Sequence, residues 1–185
     1  MTKIIIMSDD IYISTYLGNR FYPLLGKIES IDIEDIAHGL AYQCRFNGQT
    51  KSFYSVAQHS LLVADMLPDT LKLAGLLHDA AEAYVGDMVK PLKLFIPEYE
   101  KIEKQVTCEI MRFFNLEDCH QPEIKKADMV LLATEKRDLM PNSTEPWKAI
   151  AGYEELTEKI VPMQPEEAKA EFLAAFFRYS SRFKA

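Results

Sequence analysis

The stretches SVAQHSLLVADML, residues 55–67, and TLKLAGLLHDAAEAYVGD, residues 70–87, decide how this chain is read. The first opens on Ser55 with Gln58 three residues on, the pattern of a capping box at a helix N-terminus. Behind it Val56, Leu62, Val63 and Met66 recur at helical spacing, so the segment reads as a helix carrying His59. After a turn at Pro68-Asp69, the residues Leu73, Leu76, Leu77 and Ala80 form a second helical stripe, which Gly86 stops. His78 and Asp79 then fall in the C-terminal half of that helix. So short a connection predicts an antiparallel helical hairpin.

Working outward, helices are expected over roughly 98–114, over 122–138 with Pro122 in the first turn, and over 165–180 with Pro165 likewise. A shorter one is expected at 33–41. Strand signals of any length are absent, and the first twenty residues and the stretch 140–153 carry no decisive pattern. The expected fold class is therefore all-α, a helical bundle. A chain of 185 residues can be served by one core, so residues 1–185 are read as a single domain.

With 48% hydrophobic and 26% charged residues, the composition is that of an ordinary globular protein and excludes a disordered or fibrous one. In the opening MTKIIIMSDD the apolar run is only Ile4 to Met7 before Asp9 and Asp10, too short for a signal h-region or a membrane span. The expectation is a cytoplasmic protein with no membrane partner. Cys44, Cys108 and Cys119 are odd in number and lack C-x-x-C spacing, which argues against a disulfide framework and a thiolate zinc site. A net charge of −7 disfavours long nucleic acid, whose phosphates are bound by clustered Lys and Arg. A small anion held by a metal and a few local cations stays compatible.

Histidine and carboxylate are natural ligands for a borderline divalent metal, and His59, His78, Asp79 and Asp128 supply both types from three helices. The His78-Asp79 pair sits between GLL and AAEA, an apolar setting in which an unpaired charge is expensive. Glu82 follows His78 by four residues and Asp79 by three, so on one helix the three share a face. Asp87 lies just past Gly86, and Lys90 and Lys93 offer cations for a phosphate. Taken singly, His59 reads as a satisfied core histidine, His78-Asp79 as an ion pair at a helix end, and Asp128 as a partner of Lys125 or Arg137. Taken together, the four favour a metal site. His120, beside Cys119 in a polar stretch, reads as solvated, while His38 reads equally as a pocket residue or a structural helix histidine.

The segments IDIEDIAHGLAYQCRFNGQ (31–49), VAQHSLLVA (56–64), LLHDAAEAYVGDMVKPLK (76–93) and KADMVLLATEKRDLM (126–140) resemble the HD-domain phosphohydrolases, whose signature is H…HD…D. Within that superfamily the similarity is to the small bacterial and phage branch containing the HD-type 5′-deoxynucleotidases. It covers about residues 31–140 and leaves 141–185 as a C-terminal helical extension. The resemblance implies an HD-domain helical bundle. It also implies His59, His78, Asp79 and Asp128 as ligands of one divalent transition metal, for which manganese, cobalt, iron and zinc all suit the donor set.

Glu82 and Asp87 match the family's catalytic acidic pair, and Arg45 matches a phosphate-contacting arginine. Phe46 stands where the deoxynucleotidases carry tryptophan, keeping an aromatic face without the indole N–H. The interval from His59 to His78 is also shorter than in that branch. The implied activity is hydrolysis of a nucleoside 5′-monophosphate, preferably deoxy, and the implied assembly is a homo-oligomer. A deoxynucleoside triphosphate cleaved to triphosphate and a cyclic or short oligonucleotide phosphodiester are the alternative substrates. A catalytically silent nucleotide-binding module is the alternative outside the enzymes.

Overall fold

A computed structural model describes residues 11–116, 121–142 and 145–181, and the Ile4 to Met7 run, Cys119 and His120 lie outside them. In chain order the elements are β1 (Ile13–Ser14), β2 (Arg20–Tyr22), β3 (Lys27–Ile28), α1 (Ile33–Tyr42), α2 (Val56–Asp65) and α3 (Lys72–Leu76). They continue with α4 (Glu82–Val85), α5 (Lys90–Lys93), α6 (Pro97–Phe113), α7 (Pro122–Leu139) and α8 (Pro165–Ser180). The protein is mainly helical. The expectation of no strands is corrected by a small antiparallel sheet of order β1-β2-β3, with Ile13 opposite Phe21 and Phe21 opposite Ile28. Strands of two or three residues are too short to display the alternation by which a strand is read.

The helix starts follow from the sequence. Proline opens α6, α7 and α8, where its missing N–H is not needed. Ser55 caps α2 by accepting the Gln58 backbone N–H at 3.1 Å. Gln58 does not complete the capping box. Its side-chain amide instead donates to the Val161 carbonyl at 2.7 Å and accepts the Met163 N–H at 2.8 Å. Asp138 accepts the Ile160 N–H at 2.9 Å, so residues 160–163 run as a strap pinned to α7 and then to α2.

The second half of the expected hairpin is not one helix. It breaks into α3 and α4 with a turn over residues 77–81, so His78 and Asp79 stand in the turn rather than in a helix. The His78 ring explains the break: its Nδ1 lies 2.8 Å from the Gly75 carbonyl oxygen, the acceptor that an uninterrupted α-helix would give to the Asp79 N–H. Gly75 also permits the hairpin to close, because a Cβ there would fall 2.2 Å from a methyl of Leu67. Gly86, at φ +90°, ends α4 as expected.

One large core draws Phe21, Ile36, Leu40, Leu76, Leu77, Ile110, Phe172 and Tyr179 together, and a smaller one joins α2 and α7 through Val63, Ile124 and Leu131. The C-terminal α8 is thus built into the core rather than appended to it. Among the described residues no helix is long and apolar enough to cross a membrane.

Candidate metal centre

Three elements bring the chemistry together: α2 carries His59, the turn after α3 carries His78 and Asp79, and α7 carries Asp128. His59, His78 and Asp128 each present a ligand atom, and these atoms all lie within 4.8 Å of one another. Asp79 adds an oxygen 3.0 Å from His78 Nε2 and 3.6 Å from His59 Nε2. Asp128 Oδ1 stands 3.4 Å from His59 Nε2, while its other oxygen meets the exposed Lys125 at 2.6 Å. The pairing with Lys125 foreseen from the sequence therefore coexists with the cluster.

The tautomers are set from behind. Gly75 offers His78 Nδ1 a carbonyl, which can only accept, so that nitrogen carries the hydrogen and donates. His59 Nδ1 meets Glu135 Oε1 at 2.7 Å, and the Glu135 carboxyl is held below its usual range: burial opposes this, but Arg45 and His59 prevail. His59 Nδ1 is therefore also a donor. Both Nε2 atoms are buried and, among the described residues, neither has a hydrogen-bond partner. Two imidazole nitrogens that face carboxylate oxygens at 3.0–3.6 Å without a well-aligned hydrogen bond, each ring anchored through its far nitrogen, form a donor set suited to a divalent cation.

Without a cation, the carboxylates recruit protons. Burial and Arg45 disfavour a charged His59, but Glu135 and the adjacent Asp128 outweigh them and push its pKa up to about 9. Burial likewise works against ionising Asp79 and Asp128. Next to the imidazoles both are nonetheless held below the ordinary aspartate range, Asp79 chiefly by His78 and Asp128 chiefly by His59.

Glu82 and Asp87 behave oppositely. Glu82 is only 7% exposed, its Oε2 lacks a partner among the described residues, and burial followed by Asp79 and Asp87 raises its pKa well above normal. Asp87 is raised as well, by burial first and by Asp79, against the pull of Arg45. A carboxyl that keeps its proton beside ionised neighbours is a group equipped for proton transfer.

Arg45 is 8% exposed and reaches Glu135 Oε2 through Nη2 at 3.1 Å and Asp79 through Nη1 at 3.9 Å. Its backbone is locked beside α2, with Arg45 N–H donating to the Tyr54 carbonyl at 2.9 Å. The chain then reverses through Phe46 and Asn47 at φ +53° and +50°, followed by Gly48 at +73°. Such left-handed geometry costs a phenylalanine about 1–2 kcal/mol. It sets the Phe46 ring 5.2 Å from the Arg45 guanidinium and 6.0 Å from Trp147.

Three further residues offered by the sequence have the following surroundings. His38, read from the sequence equally as a pocket residue or a structural helix histidine, stacks its ring between Tyr16 at 3.8 Å and Tyr42 at 4.4 Å, which engages both faces. Lys93, offered by the sequence as a cation for a phosphate, has its ammonium held by Glu103 at 2.7 and 2.9 Å. Lys90 is exposed on α5. Glu135 went unread in the sequence. Its signal was faint, a carboxylate seven residues beyond Asp128 and therefore close to the same helical face.

Fold and site together define a mainly helical protein with a His/Asp cluster suited to a cation. No family model matches the chain. The chain belongs to the same family as the uncharacterized protein YfdR of Escherichia coli strain K12, with 35% identity over 167 residues, 89% of this chain and 93% of that protein. An uncharacterized protein of Rhodobacter capsulatus is 42% identical over 107 residues, 52% of this chain and 55% of that relative.

Proposed function

We propose that this chain is a divalent-metal-dependent phosphohydrolase of the HD type that acts on nucleotides, with a nucleoside 5′-monophosphate as its lead substrate. The observation carrying this reading is the convergence of two buried histidine Nε2 atoms with Asp79 and Asp128. His59, His78, Asp79 and Asp128 would hold the ion. When bound, a divalent cation supplies Lewis acidity toward a phosphoryl oxygen and lowers the pKa of a water.

The remaining chemistry belongs to side chains. Arg45 brings a fixed positive charge next to Asp79, where a phosphate reaching the cluster would meet it. Glu82 holds a proton at a buried carboxyl and can exchange it with water or a leaving oxygen, and Asp87 is the second acid within the same electrostatic environment. A binding module that only senses nucleotide has no use for two such acids. Phe46 and Trp147 offer aromatic faces near Arg45 for a base or sugar.

The test is a screen of nucleoside mono-, di- and triphosphates and a cyclic dinucleotide against manganese, cobalt, iron and zinc, with products identified chemically. Inorganic phosphate from a monophosphate is the expected product. Triphosphate release or diester cleavage would replace the lead substrate with one of its rivals, and no turnover with any ion would leave a silent binder.

A further inference from the structure

Glu135 is a carboxylate with both oxygens engaged in the interior. It is 0% exposed, lies on the uninterrupted α7 that also carries Asp128, and gives each oxygen to a different donor. Oε1 takes His59 Nδ1–H at 2.7 Å and Oε2 takes Arg45 Nη2–H at 3.1 Å. These partners lie in different parts of the cluster: His59 turns its Nε2 to Asp79 and Asp128, whereas Arg45 keeps an Nη1 edge toward Asp79 and a buried Nε without a partner among the described residues. His78 does not depend on Glu135, because a backbone carbonyl holds its ring.

We infer that Glu135 is a positioning residue serving both halves of the site at once, fixing the His59 imidazole for a cation and the Arg45 guanidinium for an anion. The inference rests on the cation-site reading above and deepens it, because one side chain then links two binding events. Only an ionised carboxylate can accept from both donors. A glutamine in its place loses the charge that strengthens both contacts and turns an N–H₂ toward one of the two donors, so one partner is lost and the other is held less firmly whichever way the amide faces. An aspartate keeps the charge but draws the carboxylate back by one methylene from both donors.

The test uses the full chain loaded with cobalt(II), with proton NMR of the paramagnetically shifted, exchangeable Nδ1–H signals and with calorimetry of cobalt and of inorganic phosphate. In Glu135→Gln the His59 Nδ1–H signal should move or vanish by exchange while that of His78 stays in place. Cobalt affinity should fall about 10- to 100-fold, the usual effect of losing a ligand's orienting partner. Phosphate affinity of the cobalt-loaded protein should fall as well. Arg45→Met should lose the phosphate effect alone.

An unmoved His59 signal, or unchanged affinity for either cobalt or phosphate in Glu135→Gln, overturns the dual role while leaving the cation site standing. A parent protein that binds no cobalt overturns the cation site and this inference with it. Should Glu135→Gln fail to fold by circular dichroism, Glu135→Asp carries the same test, with the same two losses expected.

Discussion

Asp128 and Glu135 grip one imidazole from its two ends: Asp128 Oδ1 faces His59 Nε2 at 3.4 Å and Glu135 Oε1 meets His59 Nδ1 at 2.7 Å. Seven residues separate them on α7, about two turns or 10 Å of rise, which is the span needed to straddle a ring from α2. The orientation of a proposed ligand is therefore fixed by the same rigid element that supplies a second one.

Loss of a carboxylate should empty the centre. Asp79→Ala and Asp128→Ala each remove an oxygen next to His59 Nε2, leaving an incomplete donor set. Both variants should retain no divalent metal after gel filtration and hydrolyse nothing. Parental activity in either after exhaustive chelation would refute the centre.

Cation affinity should depend on pH through His59. The metal-free imidazole keeps its proton up to about pH 9, held there against burial and Arg45 by Glu135 and Asp128, and a cation needs the Nε2 lone pair. Below about pH 9, affinity should drop about tenfold for each unit of acidification, with release of about one proton on binding. In the metal-free protein the folded pKa exceeds the unfolded value of 6.5, so the stability His59 contributes is complete below about pH 6.5. It is lost as the pH rises through about 9. Metal titrations whose affinity stayed flat between about pH 6 and 8 would contradict this.

Glu82 should separate chemistry from metal binding. Its carboxyl is pushed toward the protonated form by burial and by Asp79 and Asp87 and is not among the converging ligand atoms. Glu82→Ala should lose about 10² to 10⁴ in turnover with metal content intact. Glu82→Gln should be nearly as slow if a proton moves, and much faster than the alanine variant if the residue only orients water. Loss of metal from Glu82→Gln would reassign it as a ligand.

Arg45 should matter to the fold as well as to substrate. Its removal leaves Oε2 of the fully buried Glu135 without its donor, and breaking a buried pair in this way typically costs about 3–5 kcal/mol. Urea denaturation of Arg45→Ala should register a loss of that order, and Arg45→Ala combined with Glu135→Gln should be less destabilised than the sum of the two. Simple additivity would mean that the 3.1 Å contact carries no coupling.

Several helices were legible because their starts are written in residue types: Ser55 before α2, and Pro122 and Pro165 at the heads of α7 and α8. The residues of the cluster were legible because imidazole and carboxylate are costly in apolar helices unless something binds them. The break at residues 77–81 was hidden, since the apolar spacing runs through it and the interruption comes from a side chain taking a backbone acceptor. Glu135 was hidden for a related reason: in the polar-looking run TEKRD nothing marks one acid as fully buried. The Tyr16–His38–Tyr42 stack joins a residue from the segment after β1 to the helix α1, a contact that helical spacing alone does not encode.

The strap of residues 160–163 carries one more consequence. Its anchor on α2 is Gln58, the immediate neighbour of His59, while its anchor on α7 is Asp138, one turn beyond Glu135. His59 and Glu135 are 76 residues apart in sequence, so the loop that must close before they meet is long and entropically slow. The strap bridges the same two helices from the opposite end of the chain and so works as a late-arriving clasp. During synthesis, α2, α3 and α7 leave the ribosome before this clasp does.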